Sequence, residues 1–247
     1  MSDWTKSALR HSVTSQEEAA IDCTRVDMRI GKKEILRHIN FAVQPGEVAG
    51  LLGPNGAGKS SLLRIIAGLI PPNAGSVTLF GKTAGVATLA DTALLPDRGK
   101  LPTWLTARAW LAYAERIYPD WDVDRAEDLI RSLAIKLDAR ISTLSRGEEA
   151  RLQLLTCLAR RARVVLLDEP FAGVDLVSRE RIATSVVREL AGGERAFLVA
   201  THDIREMENL FDRIILLADG EVLEVDVVER LRERGSSVEQ RYREVFE

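Results

Sequence analysis

The sequence predicts an α/β domain with a largely parallel sheet, an antiparallel β subdomain and an inserted helical subdomain. One observation is that three short apolar runs alternate with segments of helical periodicity, which is typical of a parallel sheet. These runs are Val164–Leu167, Ala196–Ala200 and Ile214–Leu217, and crossover helices are expected at 179–190 and 204–210. A second observation is the helical periodicity of residues 105–158, which predicts helices inserted between strands.

We expect three parts along the chain. Residues 1–20 offer little that could anchor a core and are expected to form a flexible or loosely docked extension. Residues 21–225 form the main domain, with the helical subdomain at about 100–160, and residues 226–247 form a charged helical tail. Short apolar segments at 21–30 and 35–43 are separated by turn residues, which predicts antiparallel strands at the start of the main domain.

The strongest motif is a glycine-rich loop that satisfies the phosphate-binding pattern GxxxxGK[ST] without a mismatch. An apolar strand at 48–52 precedes the loop and helically spaced apolar residues follow it, so an ordinary glycine-rich turn does not explain the context. The loop and the residue after it are Gly53-Pro54-Asn55-Gly56-Ala57-Gly58-Lys59-Ser60-Ser61.

The residue types in this loop suit a nucleotide triphosphate. Glycines let successive N–H groups point at phosphate oxygens, and the N-terminus of the next helix attracts anions. Lys59 is expected to reach the β- and γ-phosphates as a point charge. Ser60 is expected to give its hydroxyl oxygen to Mg²⁺, which prefers oxygen ligands.

Composition excludes several other classes of function. The 247 residues include 34 Lys and Arg against 37 Asp and Glu, so no excess of positive charge is available for a nucleic-acid backbone. Cys23 and Cys157 have apolar neighbours and no metal-ligand spacing, so both are interpreted as core residues of a protein in a reducing compartment. No stretch reads as a membrane span or a secretory signal, so another chain would have to supply any span.

Two further segments carry candidate chemistry. The strand at 164–167 ends in Asp168, a candidate ligand of Mg²⁺, and in Glu169, a candidate base that polarises an attacking water. Ser145 and Glu148 have the spacing of a capping box at a helix start. The capping box is a sufficient structural explanation for these two residues, but a capped helix N-terminus is also an anion site.

With these three motifs in this order, the sequence resembles the ATP-binding cassette (ABC) ATPases, in which the signature loop usually reads LSGGQ. The resemblance covers residues 21–225 and implies a P-loop NTPase fold of the ABC nucleotide-binding type that binds ATP and Mg²⁺. It implies that His202, in the switch loop Thr201-His202-Asp203, contacts the γ-phosphate and the attacking water. It also implies that Asp175 lies at an interface between two such domains, and that a partner's ATP is bound by the signature residues Ser145, Arg146, Gly147 and Glu148.

The sequence departs from the family pattern at three positions. Ile30 stands where an aromatic residue usually stacks on adenine, so we expect weaker or less selective base recognition. Asp97 stands where a Gln usually contacts Mg²⁺ and the reacting water, so we consider it a candidate catalytic and metal-binding residue. Arg146 replaces the first signature glycine, while Ser145 and Gly147 remain.

The resemblance extends to the ATPases of bacterial ABC-2-type exporters, on segments 101–106 and 118–122. It implies integral membrane subunits as partners, a homodimer or a heterodimer with a similar ATPase chain, and a cytoplasmic position at the inner face of the cell membrane. Trp104 is a candidate for docking the membrane subunit, with a packed core position as the alternative. One alternative function is a soluble ABC-type ATPase switch that acts in assembly or regulation rather than in transport. Another is a cassette that binds ATP without turnover.

Overall fold

The computed structural model describes residues 18–97, 100–190, 195–202, 204 and 208–246. Within these residues, ten strands form two sheets. The strands are β1 (Ile21–Ile30), β2 (Lys33–Val43), β3 (Val48–Leu52), β4 (Ala74–Leu79), β5 (Lys82–Thr83), β6 (Thr92–Leu95), β7 (Val164–Asp168), β8 (Ala196–Thr201), β9 (Arg213–Ala218) and β10 (Glu221–Val227). The α-helices are α1 (Lys59–Ile66), α2 (Ala107–Ile117), α3 (Val123–Ser132), α4 (Arg146–Leu158), α5 (Leu176–Leu190), α6 (Val228–Glu233) and α7 (Val238–Phe246).

The central sheet has the strand order β10-β9-β3-β8-β7-β6. All its neighbours pair in parallel except β10, which pairs antiparallel with β9. Strands β3, β7 and β8 are buried along their whole length, as expected for parallel strands covered on both faces. Because parallel strands end at the same edge, the loops after β3, β6, β7 and β8 are brought together there.

The second sheet, in the order β2-β1-β4-β5, is antiparallel. One apolar core lies between the two sheets and includes the buried face of α1. The other lies on the opposite face of the central sheet, under α2 to α5 and the C-terminal helices. Backbone hydrogen bonds of Gly220, in the turn between β9 and β10, link this turn to β2 and to the loop after β3. The Gly220 carbonyl accepts from the Arg37 N–H at 2.7 Å, and the Gly220 N–H donates to the Ala57 carbonyl at 3.2 Å.

Two buried arginines fasten the helical region to the central sheet. Arg160, just after α4, makes an ion pair with Asp120 at 3.1 Å and is 9% exposed. It also donates to the carbonyl oxygens of Leu89, Ala90 and Thr92. Arg195, 8% exposed, donates to Glu189 and to the carbonyls of Leu158, Arg160 and Ala162. These buried charges are tolerated because they are hydrogen-bonded to carbonyl and carboxylate oxygens.

The predicted fold class is confirmed, and the predicted strands at 48–52, 164–167, 196–200 and 214–217 lie within β3, β7, β8 and β9. Strands β6 and β10 were not predicted. β6 has only four residues and runs into Pro96, while a bulge between Val222 and Glu224 breaks the alternation in β10. Of the crossover helix expected at 204–210, the structure describes residue 204 and Glu208–Leu210, and Glu208–Leu210 form a 3₁₀ helix rather than an α-helix. Residues 203 and 205–207, and residues 1–17 of the expected extension, lie outside the described part of the chain.

Candidate functional site

The phosphate loop joins β3 to α1, as its motif requires, and its glycines are needed for close backbone approach. A Cβ on Gly53 would lie 2.0 Å from the carbonyl oxygen of Leu217. Gly58 has a φ of +107°, and a Cβ there would lie 2.8 Å from the Leu36 side chain. Any larger residue at these two positions would therefore displace the loop or strain its backbone.

Lys59 is folded back into its own loop. Its Nζ donates to the carbonyl oxygens of Gly53 at 2.7 Å and Pro54 at 3.1 Å, and lies 3.6 Å from Glu169 Oε1. The residue is only 6% exposed. Burial lowers the pKa of Lys59, and the charge of Glu169 opposes that shift. A desolvated ammonium in a cradle of carbonyls would gain strongly from an entering anion.

Asp168, the last residue of β7, is 5% exposed, and its burial raises the pKa of its carboxyl group. The nearby carboxylates of Asp97 and Glu169 raise it further, while hydrogen bonds from the Ser60 side chain and the Asp97 backbone act in the opposite direction. Its Oδ1 is buried and has no hydrogen-bond partner. A buried carboxylate oxygen without a donor beside a serine hydroxyl fits a hard cation such as Mg²⁺.

Glu169 is held from three directions. Its backbone has a φ of +50°, outside the regions that non-glycine residues usually occupy, and its N–H donates to Ala200 at 2.8 Å. Oε1 lies 2.9 Å from His202 Nδ1, and Oε2 accepts a hydrogen bond from Thr201 Oγ1 at 3.1 Å. The carboxylate therefore lies beside Lys59 of the phosphate loop, and Thr201 and His202 orient it.

Asp97 follows β6 and comes close to Asp168 through its backbone, so the structure brings it to the same edge as Lys59, Ser60, Glu169 and His202. Arg98 and Asp203, which flank Asp97 and His202, lie outside the described residues.

The signature segment forms a second cluster. Ser145 caps α4 with the predicted capping box, in which Ser145 Oγ accepts from the Glu148 N–H and the Glu148 carboxylate accepts from the Ser145 N–H. Glu148 also pairs with Lys136 at 2.6 Å. A Cβ on Gly147 would lie 2.4 Å from Asp175, so this glycine allows the close contact between α4 and the start of α5.

Asp175 is the N-terminal cap of α5. It accepts from the N–H of Ser178 at 2.9 Å and from the Ser178 hydroxyl at 2.7 Å, and these bonds lower the pKa of its carboxyl group. Arg146 passes close to Gly173. Among the described residues, no hydrogen bond or ion pair joins this second cluster to the phosphate loop.

Two further predicted residues are exposed. Ile30 ends β1 and is 61% exposed. Trp104 is 76% exposed, so the alternative of a packed core position is wrong. An apolar groove of about 810 Å³ opens between the β6 edge and the helical region, and Leu69, Val86 and Trp110 are among its lining residues. Neither the groove nor the hydroxyl contact of Thr201 with Glu169 was predicted, since both depend on segments distant in sequence.

Comparisons with known proteins show which family this chain resembles. A family model described as ABC transporter matches residues 36–172. The aliphatic sulfonates import ATP-binding protein SsuB 1 of Pseudomonas fluorescens is 34% identical over 221 residues, which are 89% of this chain and 81% of the relative. The SkfA peptide export ATP-binding protein SkfE of Bacillus subtilis is 31% identical over 206 residues, or 81% of this chain and 86% of the relative.

This chain covers only part of the length of several relatives. Against other curated relatives of 32–35% identity, it spans only 37–66% of the relative's length. A solved structure of an ATP-binding subunit of an ABC transporter superposes with a TM-score of 0.82 at 23% identity, covering 92% of this chain and all of the other, which shows the shared fold. In the part of the chain that is described, no helix has the length and apolar character needed to cross a membrane.

The buried charge of Asp168 leads to a prediction about stability. In a buffer with a chelator at pH 7 to 8, Asp168→Asn should raise the free energy of unfolding by about 1–2 kcal/mol, because it removes a desolvated charge. Since the folded-state pKa is raised, the native carboxylate destabilises the fold in full above that pKa. The gain from Asp168→Asn should therefore shrink as the pH falls through the folded-state pKa, and vanish below the ordinary value of 3.8. Urea unfolding of both proteins measures this difference.

Asp138→Asn is the matched control, since its side chain is 86% exposed and should change stability by less than about 0.5 kcal/mol. If Asp168→Asn lowers the free energy of unfolding under these conditions, the buried charge of Asp168 does not destabilise the fold.

Proposed function

The chain belongs to the ABC transporter family, and from this premise we propose that it binds ATP with Mg²⁺ and hydrolyses it to drive transport through separate membrane subunits. The observation that carries the proposal is the placement of the Glu169 carboxylate between Lys59, Thr201 and His202, beside the unpartnered oxygen of Asp168. A lysine, a positioned carboxylate and an aspartate that can hold a metal ion are groups that phosphoryl transfer to water uses.

Binding of the triphosphate would exchange the partners of Lys59. Its ammonium donates to two loop carbonyls and lies near Glu169, and phosphate oxygens would replace these contacts. The N–H groups of the loop and of the first turn of α1 would complete the cradle. Ser60 and Asp168, with Asp97 close by, would hold Mg²⁺, which when bound neutralises charge on the β- and γ-phosphates.

Glu169 is the proposed base. The oxygen of a water bonds to the γ-phosphorus, its proton passes to the Glu169 carboxylate, and the bond from phosphorus to the β–γ bridging oxygen breaks, which releases ADP and phosphate. The ring of His202, held by Glu169 at 2.9 Å, would face the γ-phosphate and the water. Lys59, Asp168 and the Glu169 side chain are largely buried, which strengthens the electrostatic contacts that they make.

A second ATPase chain would complete the site. The Ser145 Oγ accepts from Glu148, which leaves its hydroxyl hydrogen for a phosphate oxygen bound to a partner's loop. Gly147 permits close backbone approach, and Arg146 adds a positive charge in place of the usual glycine. Because the Glu148 carboxylate is already paired, we propose that it orients Ser145 rather than contacting the nucleotide.

The apolar groove is the proposed docking site for a membrane subunit at the inner face of the cell membrane. It borders β6, whose C-terminal end leads to Asp97, so an occupant could act on the site through this strand. Exposed apolar side chains, such as Val86 at 86%, lie along it. The cargo would be set largely by that subunit.

Glu169→Gln should bind ATP but lose about 10²- to 10⁴-fold in turnover, because an amide cannot accept the water's proton. Steady-state phosphate release measures turnover, and nucleotide binding is measured separately by calorimetry. Glu127→Gln, an exposed change on α3, serves as the control. Turnover near the wild-type value in Glu169→Gln would remove Glu169 from the role of base, and negligible turnover in the wild-type protein would favour a cassette that only binds ATP.

Ile30→Tyr should tighten ATP binding, because an aromatic ring at this exposed position can stack on the base. Stacking contributes about 1–3 kcal/mol per base, so the Kd for ATP should fall by about 5-fold or more. The Kd for inorganic tripolyphosphate, which has no base, should stay the same. Equal changes for the two ligands, or none for ATP, would place the base away from Ile30.

A further inference from the structure

We propose that Thr201 is the positioning residue of the base, fixing Glu169 through Oε2 so that Oε1 is the oxygen that accepts the proton. The inference rests on the proposed ATP hydrolysis. Its direct support is the hydrogen bond that Thr201 Oγ1 donates to Glu169 Oε2 at 3.1 Å.

The neighbours of Glu169 differ in how firmly they are held. Lys59 lies 3.6 Å from Oε1, and a triphosphate would draw it away to the phosphate oxygens. The His202 side chain is 47% exposed and belongs to the loop after β8. Thr201 is 1% exposed and is the last residue of β8, a strand paired on both sides, so it is the most rigid of the three.

The backbone of Glu169 also needs this support. The left-handed φ of +50° is unfavourable for a non-glycine residue and persists only where surrounding contacts fix it. The Glu169 N–H donates to Ala200, the residue directly before Thr201. Two successive residues of β8 thus hold Glu169, one through its backbone and one through its side chain.

The two carboxylate oxygens of Glu169 have different neighbours and therefore different roles. Oε2 is occupied by a buried donor that has no reason to leave during turnover, whereas Oε1 faces the two groups that contact phosphate, Lys59 and His202. A carboxylate free to rotate would spend much of its time with neither oxygen directed at the water, and misplacement of this kind is costly in rate.

Thr201→Val tests the inference, since it removes the hydroxyl and keeps the shape of the side chain. Loss of a hydrogen bond to a charged group should lower kcat by about 10-fold, with the KM for ATP unchanged. Thr201→Ser restores the donor and should recover most of the kcat. In the Glu169→Gln background, Thr201→Val should have no further effect on turnover, because the base through which Thr201 acts is already lost.

Thr88→Val is the matched control. Thr88 is also fully buried, and its hydroxyl donates to the carbonyl oxygen of Gly85 at 3.0 Å, away from the site. This variant should lower the Tm and leave kcat unchanged, which separates a loss of stability from a loss of positioning.

The outcomes distinguish the two proposals. If Glu169→Gln abolishes turnover while Thr201→Val turns over normally, the role of Thr201 is overturned and the proposed function stands. An equal loss from Thr201→Val in the wild-type and Glu169→Gln backgrounds, or no rescue by serine, also overturns it. If Glu169→Gln itself turns over normally, the assignment of the base fails, and the positioning role of Thr201 fails with it.

Discussion

The structure depends on the meeting of several charged groups at one edge of a parallel sheet. The Glu169 carboxylate, with 11% of its side chain exposed, is shared between the ammonium of Lys59, the ring of His202 and the hydroxyl of Thr201. These groups come from the ends of β3, β7 and β8, and because these neighbouring strands are parallel, their carboxyl ends lie at the same edge. The charge of Asp168 beside them is buried, which is unfavourable, and a cation would offset that cost.

The second cluster, around Ser145 and Asp175, has its own hydrogen bonds and is separate from the first. The capping box, the cap of α5 and the contact of Gly147 with Asp175 hold it rigid, yet none of these contacts reaches the phosphate loop of the same chain. Two separate clusters of this kind are what the proposed pairing of two ATPase chains would require. Arg160 and Arg195 fix the helical region, and hence this cluster, relative to the central sheet.

The sequence predicted the parts of the site that are local in the chain. The phosphate loop, Asp168-Glu169 and the capping box each consist of neighbouring residues whose spacing states their geometry, and the fold and family predictions are confirmed. The roles of the individual site residues, the domain bounds and the inner-face position remain predictions.

Other features could not be predicted, because they depend on distant partners. The four residues of β6 form a strand because β7 pairs with them. The hydroxyl of Thr201 donates to the carboxylate of Glu169, 32 residues earlier, and sequence alone does not show this contact. Trp104 was open to two interpretations because sequence does not show which face of a loop is covered, and the structure leaves it exposed.

Coupling to membrane subunits can be tested by recovering tagged Glu169→Gln chain from detergent-solubilised native membranes with ATP and Mg²⁺, and identifying its partners by mass spectrometry. We expect a multi-span membrane protein in stoichiometric amount. Its recovery should be reduced by Val86→Asp in the groove and not by Leu223→Asp on β10, at the opposite edge of the sheet. Recovery of only non-membrane proteins, with the chain absent from the membrane fraction, would contradict this coupling and favour a switch that acts outside transport.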